Sequence, residues 1–324
     1  MSWNTLNITS TAEIVSSIRE KGYYFAESAL DKIEADRLLE EIDFDEILIN
    51  KNHLGVVCSG NQKFLSHCLA KSKRAYDLIT SQQVLDVCNA YLQVGYQLIN
   101  HRFCQTRRGF HMPWHTDNNL LYGSQFLGKH QMQGLVFIIY LSEPNLSPFQ
   151  YIEGSHLWSS KYDDEIYISD RWVQTHYQQD IRTFEIKKGD LIIFDLHGIH
   201  RARPFKDRHH VRNIFQFQVE QIKDEYLGHG EQNLVNAGFI DNPSPDLFNY
   251  LGFGIQRNYP VFPNSSIATM AMPELMKLYK QLLLLTLKAI TRNLAKGLLT
   301  GEWQVSLKRK LWHPKLPSSN SRKS

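Results

Sequence analysis

Apolar positions in the first third of the chain recur with the period of amphipathic helices. Residues 10–13 read Ser-Thr-Ala-Glu, which has the form of a capping box, and the helix that it predicts ends at Gly22. Asp31 begins a second predicted helix, and Ser81 caps another over residues 82–93. A helix is also predicted near residues 66–79, whereas residues 44–65 follow neither period. The apolar positions of the first two helices are Ile14, Val15, Ile18, Ile33, Leu38, Leu39 and Ile42.

The pattern changes to short apolar or alternating runs from about residue 96, which is typical of strands joined by Gly- and Pro-containing turns. A strand is also expected directly after Gly22. Helices first and many strands afterwards predict a mainly β domain, a sandwich or barrel with flanking helices. The predicted strands cover residues 23–27, 96–106, 134–142, 149–152, 182–186, 191–195 and 212–221.

Residues 157–181 interrupt the strands with five Trp and Tyr residues whose spacing fits neither period. An irregular aromatic insertion beside a site can be a lid over substrate. The same aromatic side chains can instead pack on the outside of the sheet, and both interpretations stay open.

The C-terminal third predicts a long helix that begins near Pro273 and covers about residues 274–299, with one apolar face and several lysines elsewhere. We divide the chain into a main domain, residues 1–221, which holds the predicted strands and the N-terminal helices, and a C-terminal extension, residues 222–324. A basic amphipathic helix can meet a membrane surface. Packing on the same domain or on a dimer partner is the commoner role, and we expect that here.

Composition adds few constraints: 42% of residues are hydrophobic and 21% are charged, as in ordinary globular proteins. The net charge is +3, and residues 306–324 hold six Lys and Arg residues without an acid. We expect a solvated terminus there and no nucleic-acid partner. The four cysteines form no CxxC pair, no secretory signal is visible, and no apolar run could span a bilayer. These features favour a cytoplasmic protein with reduced cysteines.

The chemistry is predicted from His115 and Asp117, which are two positions apart and therefore share a face if the chain is extended there. Such a pair can grip one cation from one side, although His-x-Asp alone is weak. His200 strengthens it, because this histidine follows a predicted turn and a buried strand. Two histidines and a carboxylate with open positions are the facial triad of non-haem Fe(II) oxygenases. His111 and His197 compete, and the spacing alone does not choose among these histidines.

Three motifs occur together in order: His-Thr-Asp at 115–117, Tyr-Ile-Glu-Gly-Ser-His at 151–156, and Lys-Gly-Asp-Leu-Ile-Ile-Phe-Asp at 188–195 leading to His200. The combination resembles the phytanoyl-CoA dioxygenase family over about residues 20–221. The resemblance implies a double-stranded β-helix, of jelly-roll or cupin-like form, that uses Fe(II), 2-oxoglutarate and O2. It also implies that His200 is the distal iron ligand, that His197 is only a neighbour, and that His156 is structural.

The family places an arginine about one strand beyond the distal histidine to bind the far carboxylate of 2-oxoglutarate, and Arg212 fits this position best. Arg208 is the alternative. Gln105 and Gln133 are further cosubstrate candidates on neighbouring strands, although an ordinary sheet position is the commoner role of such residues. Two features depart from the family. Ala202 replaces a small hydroxyl residue, and the loop of residues 201–211 is unusually basic, which we interpret as an exposed loop.

The resemblance also bears on the reaction, because related halogenases replace the carboxylate at the position of Asp117 with a small residue. Its retention favours hydroxylation of an unactivated C–H bond of a small-molecule metabolite, with 2-oxoglutarate converted to succinate and CO2. Desaturation or ring formation would use the same residues. A cupin-like metalloenzyme that does not use 2-oxoglutarate is a further alternative, and a non-catalytic binding protein is the least favoured. A homodimer is compatible with the sequence.

Overall fold

The structure is a computed structural model, and it describes residues 6–42, 56–59, 62–65, 68–93, 95–107, 112–122, 125–129, 131–143, 149–158, 167–202, 210–222, 233–253, 272–298 and 303.

Two antiparallel sheets form the centre of the described structure, with strands numbered in chain order. The major sheet has the order β1 (Tyr23–Ala26), β12 (Leu191–Asp195), β8 (Gly134–Tyr140), β14 (Val211–Gln221), β4 (Tyr96–Arg107), β3 (Gln62–Leu65) and β2 (Val56–Ser59). The minor sheet has the order β10 (Tyr167–Ile168), β5 (Trp114–His115), β13 (His200–Ala202), β9 (Phe149–Ile152) and β11 (Ile181–Phe184). A separate hairpin pairs β6 (Asn119–Tyr122) with β7 (Gln125–Lys129).

The two sheets share an apolar interior. Ile138 of β8 and Phe194 of β12 meet Phe149 and Tyr151 of β9 in one buried cluster. Alternate residues of the same major strands point the other way, into a second cluster with the helices. Both faces of the central strands are therefore buried, which explains their nearly continuous apolar runs. The predicted double-stranded β-helix with flanking helices is confirmed by this architecture.

The N-terminal helices begin where their caps predict. α1 (Thr11–Lys21) opens with a complete capping box, since Ser10 Oγ accepts from the Glu13 N–H at 3.3 Å and Glu13 Oε2 accepts from the Ser10 N–H at 3.1 Å. It ends at Gly22, whose φ of 90° suits a residue without a Cβ. α2 (Lys32–Glu40) follows Asp31 as predicted. Of the apolar positions predicted for this helix, Ile33 is 62% exposed, whereas Leu38 is buried.

The helix predicted near residues 66–79 is two helices, α3 (Cys68–Lys71) and α4 (Lys73–Ile79). Ser72 separates them, because its Oγ accepts from the Ala75 N–H at 2.9 Å and starts α4 as a new helix. α5 (Gln82–Leu92) forms as predicted after Ser81. β2 and β3 lie in the stretch for which the sequence predicted no element.

The aromatic insertion contributes β10 and a helix, α6 (Asp170–Tyr177), that its spacing did not predict. The rings of Trp158 and Trp172 pack against Tyr177 at tilted angles, with ring centroids 4.1 and 5.0 Å from it. This group packs against Trp114, together with Ile152 and Ile199. Trp114, Ile152 and Ile199 are each adjacent in the chain to a residue whose side chain faces the shared interior, so their own side chains face outward. The aromatic group therefore covers the outer face of the minor sheet. For these described aromatic residues, packing outside the sheet is the better interpretation.

Among the described residues after β14, two α-helices have defined bounds. α7 (Pro245–Leu251) was not predicted, and it contributes Tyr250 and Leu251 to the helix-side core. α8 (Met272–Leu298) matches the predicted long helix closely. Within the described residues, no helix is both long enough and apolar enough to cross a bilayer.

Candidate metal centre

His115, Asp117 and His200 converge at one end of the shared interior. His115 on β5 and His200 on β13 are direct register partners, so their side chains share a face and their rings are 4.3 Å apart. The carboxylate lies between them, with Oδ1 3.6 Å from His115 Nε2 and Oδ2 3.5 Å from His200 Nε2. One ligand atom from each residue lies within 4.8 Å of the others. The backbone N–H of Asp117 donates to Leu196 O at 2.9 Å, which ties this segment to the end of β12.

The hydrogen bonds of the two imidazoles prepare them as metal ligands. His115 Nδ1 lies 2.8 Å from Pro113 O, and His200 Nδ1 lies 3.1 Å from Gly198 O. A carbonyl oxygen only accepts hydrogen bonds, so each Nδ1 carries a proton and each ring can present the lone pair of its Nε2 to a metal ion at the centre. Both rings are at least nine-tenths buried. Two neutral imidazoles and one carboxylate fit a divalent iron ion that keeps open positions.

The structure places His197 and His156 away from the cluster of His115, Asp117 and His200. His197 turns to Asp195, with its Nδ1 2.9 Å from the carboxylate, while Tyr91 Oη donates to the other oxygen at 2.7 Å. Burial opposes the ionisation of Asp195, but the hydrogen bonds from His197 and Tyr91 outweigh it and lower the pKa of this carboxyl. His156 lies elsewhere, with Nε2 3.1 Å from Arg19 O. His111 lies outside the described residues.

Aromatic rings surround the inner side of the centre. Phe194 and Phe149 pack on His200 with centroids 4.5 and 5.6 Å away, which keeps this side dry. Tyr167 is the register partner of His115 across β10 and β5, and its ring is 6.4 Å from that imidazole. Burial raises the pKa of Tyr167, Arg292 opposes this shift and the Asp117 carboxylate adds to it. Sequence analysis placed Tyr167 in the insertion but did not identify it as a neighbour of the metal ligands.

Arg212 lies on β14 with its side chain directed into the shared interior. It is 4% exposed, its Nε donates to Thr106 Oγ1 at 3.2 Å, and its nearest electrostatic influences include Tyr140 and Cys104 of the inner cluster. Burial lowers the pKa of this guanidinium, which nevertheless stays protonated because the ordinary value is so high. Arg208 lies outside the described residues.

The structure does not bring the two predicted glutamines together with Arg212. Gln105 pairs with Asn213 across β4 and β14, and its Nε2 donates to Asn213 Oδ1 at 3.2 Å, on the sheet face opposite Arg212. Gln133 is exposed and precedes β8, where its backbone N–H donates to Gln221 Oε1 at 3.1 Å. The Gln105 amide and the Gln133 backbone thus make hydrogen bonds within the sheet.

Arg201 differs from the expected exposed loop residue, because its side chain is only 4% exposed. Its Nε donates to Gln150 Oε1 at 2.8 Å, its guanidinium stacks 4.2 Å from the Trp114 ring, and its Nη1 contacts Asp170. Asp170 Oδ1 also accepts from Trp114 Nε1 at 3.0 Å. Trp114 and Arg201 are the chain neighbours of His115 and His200, so this network joins both ligand strands to α6. The remaining basic residues of that loop lie outside the described residues.

We expect Asp170→Ala to lower the free energy of unfolding by about 2 kcal/mol, because it removes a carboxylate from the buried Arg201 while the partly exposed position weakens the pair. Loosening the neighbours of the ligands should also weaken Fe(II) binding by about 10- to 100-fold. Chemical denaturation and anaerobic Fe(II) titration measure the two effects. Asp180→Ala removes an exposed carboxylate just beyond the same helix and serves as the control. Equal iron affinities in the two variants would contradict a positioning role for the network.

Gly198 fixes the turn that carries His200. An added Cβ would lie 1.6 Å from Tyr151 Oη and 2.2 Å from its Cζ, and that ring is fully buried. We expect Gly198→Ala to destabilise the fold by about 2 kcal/mol through overpacking. It should also weaken Fe(II) binding, because Gly198 O holds the Nδ1 of His200. At Gly95 a Cβ meets no atom within 4 Å, so Gly95→Ala is the matched control in both titrations. Unchanged Fe(II) affinity in Gly198→Ala would show that the turn at Gly198 does not position His200 for metal binding.

The comparisons with known proteins agree with this geometry. Residues 18–210 match the family model described as phytanoyl-CoA dioxygenase (PhyH). No curated protein matches the chain.

Among solved structures, the chain is similar to SnoK, a non-heme alpha-ketoglutarate-dependent carbocyclase from nogalamycin biosynthesis, with 15% identity and a TM-score of 0.52 over 66% of this chain and 85% of SnoK. The epimerase SnoN, in complex with Fe3+, alpha ketoglutarate and nogalamycin RO, gives 13% identity and a TM-score of 0.51 over 78% and 96% of the two chains. Iron-bound HygX from Streptomyces hygroscopicus has 14% identity and a TM-score of 0.50, over 69% of this chain and 96% of HygX. At these identities the three structures support the fold.

Proposed function

The chain belongs to the phytanoyl-CoA dioxygenase family, and we propose that it hydroxylates an unactivated C–H bond of a small-molecule metabolite. It is a 2-oxoglutarate-dependent non-haem iron enzyme. The observation that carries the proposal is the convergence of two imidazole Nε2 atoms on the carboxylate of Asp117. The reaction would consume O2 and 2-oxoglutarate and yield the alcohol, succinate and CO2.

The bound iron and 2-oxoglutarate would supply the oxidant that removes hydrogen from the substrate. The protein residues have the other tasks. His115, Asp117 and His200 hold the metal from one side and leave the opposite side open. Phe149 and Phe194 exclude water beside His200, which protects a reactive centre from side reactions.

Arg212 is proposed to bind the carboxylate of 2-oxoglutarate that is remote from the metal. The guanidinium fork forms two parallel hydrogen bonds with a carboxylate and keeps its charge when buried. Its inward direction and its burial support this assignment. Tyr167 is proposed to line the substrate side of the metal centre. Its ring lies 6.4 Å from that of His115, and the Asp117 carboxylate adds to the rise in the pKa of its phenol that burial causes.

Hydroxylation is favoured over halogenation because Asp117 occupies the position where a halide would need an open site. Two fold relatives are described as a carbocyclase and an epimerase, so ring formation and epimerisation use similar folds. Product mass distinguishes these outcomes. Hydroxylation adds one oxygen atom, ring formation or desaturation removes two hydrogen atoms, and epimerisation leaves the mass unchanged.

The first test adds Fe(II) and then 2-oxoglutarate to the protein without oxygen. The expected result is a weak visible charge-transfer band of the chelate that appears only with both components. Oxygen is then admitted while candidate metabolites are screened for succinate release. Absence of the band in the wild-type protein would count against 2-oxoglutarate as cosubstrate and would favour the cupin-like alternative.

A further inference from the structure

The apolar side chains of α8 have little contact with the rest of the described structure. The helix has 27 residues and is therefore about 40 Å long. Ten of its large apolar side chains are between 49% and 68% exposed. Positions separated by three or four residues share one helix face. The members of that exposed face are Met272, Met276, Tyr279, Leu283, Leu287, Ile290 and Leu294.

The basic residues of α8 lie mostly outside that apolar face, where three further exposed leucines, Leu282, Leu284 and Leu285, also lie. Lys277, Lys280, Lys288 and Arg292 are exposed, and the helix sequence contains one acid, Glu274. Trp303, a residue type favoured at membrane interfaces, follows the helix and is 67% exposed. Residues 306–324 then add six basic residues and no acid.

We propose that α8 docks this enzyme on anionic lipid membranes, with the helix axis in the plane of the surface. A long amphipathic helix with an apolar face, a Lys-rich polar face and few acids has the composition of an interfacial helix. Negatively charged headgroups complement the cations of the helix and of the chain after it. A second copy of α8 would bring the same positive charges together, so the charge pattern favours lipid over self-association.

The test measures co-sedimentation of the full chain with vesicles of phosphatidylcholine and phosphatidylserine, and with vesicles of phosphatidylcholine alone. We expect the anionic vesicles to bind more tightly and high salt to weaken this binding. Leu283→Glu places a charge in the apolar face and should lower the affinity by at least about tenfold. Gln281→Glu makes the same change of charge on the polar face and should lower the affinity much less.

Both variants are also measured for the Fe(II) and 2-oxoglutarate absorption band, which should equal that of the wild type. This readout separates a failure of docking from a failure of the proposed oxygenase function. Equal binding by the two variants, or no preference for anionic vesicles, would overturn the proposal. Sedimentation equilibrium could instead show a wild-type dimer that Leu283→Glu dissociates, while the wild type does not bind vesicles. That result would overturn the proposal and assign the apolar face to contact with a second copy of the chain.

Discussion

Asp117→Ala is expected to abolish iron-dependent turnover and to weaken Fe(II) binding by more than about 100-fold, since even changes behind a metal ligand cost 10- to 100-fold. The carboxylate is the negatively charged member of the site and lies 3.6 and 3.5 Å from the two imidazole Nε2 atoms. Its removal leaves two neutral ligands that cannot balance the charge of the ion. Anaerobic titration with Fe(II) in the presence of 2-oxoglutarate measures the loss through the charge-transfer band. Turnover that persists in Asp117→Ala would overturn the ligand assignment.

The control uses two histidines in one turn. His200→Ala should behave like Asp117→Ala, because it removes a ligand whose Nε2 faces the centre. His197→Ala should keep the iron band, because the His197 ring turns to Asp195. It should lower stability, since hydrogen bonds from His197 lower the pKa of this buried carboxyl. The stability that the low pKa of Asp195 provides is present at neutral pH and is lost as the pH falls through the acidic range. The free energies of unfolding of the wild type and of His197→Ala should therefore converge at acidic pH.

Local rules in the sequence predicted the elements whose signals lie within a few residues. The capping box at Ser10 fixed the start of α1, and the apolar runs of β8 and β12 marked central strands. The sequence did not predict α6, because its aromatic residues pack on the outer face at Trp114 and on each other. Their spacing therefore does not follow that of a helix buried in the main core. Ile33 fits the apolar period of α2 but is 62% exposed, because the period does not say which apolar positions the fold covers.

The site required information that no local pattern holds. His115 and His200 are brought together by the register of β5 and β13, and the spacing along the chain did not distinguish His200 from His197. Gln105 and Arg212 lie on neighbouring strands, yet a side chain's face depends on alternation and on pairing, which place Gln105 opposite Asn213. The burial of Arg201 depends on Asp170, 31 positions away in the chain.

Arg212→Gln is expected to raise the concentration of 2-oxoglutarate needed for half of the charge-transfer band by roughly 100-fold or more, because breaking a buried charge pair costs about 3–5 kcal/mol. The amide has a similar shape but lacks both the charge and the guanidinium fork. Fe(II) affinity measured without 2-oxoglutarate should change little, since Arg212 belongs to β14 and the ligands belong to the β5 segment and β13. Arg212→Lys keeps the charge without the fork and should be intermediate.

Arg107→Gln provides the matched control, because Arg107 is an exposed arginine on the neighbouring strand whose Nε donates to Gln105 Oε1. It should leave the 2-oxoglutarate dependence unchanged. Arg212→Gln could also leave the 2-oxoglutarate concentration for half of the band unchanged while Arg208→Gln raises it. That result would identify Arg208 as the arginine that binds the cosubstrate. If neither change affects a band that is still formed, the remote carboxylate is bound by other groups, and the inward burial of Arg212 serves the fold alone.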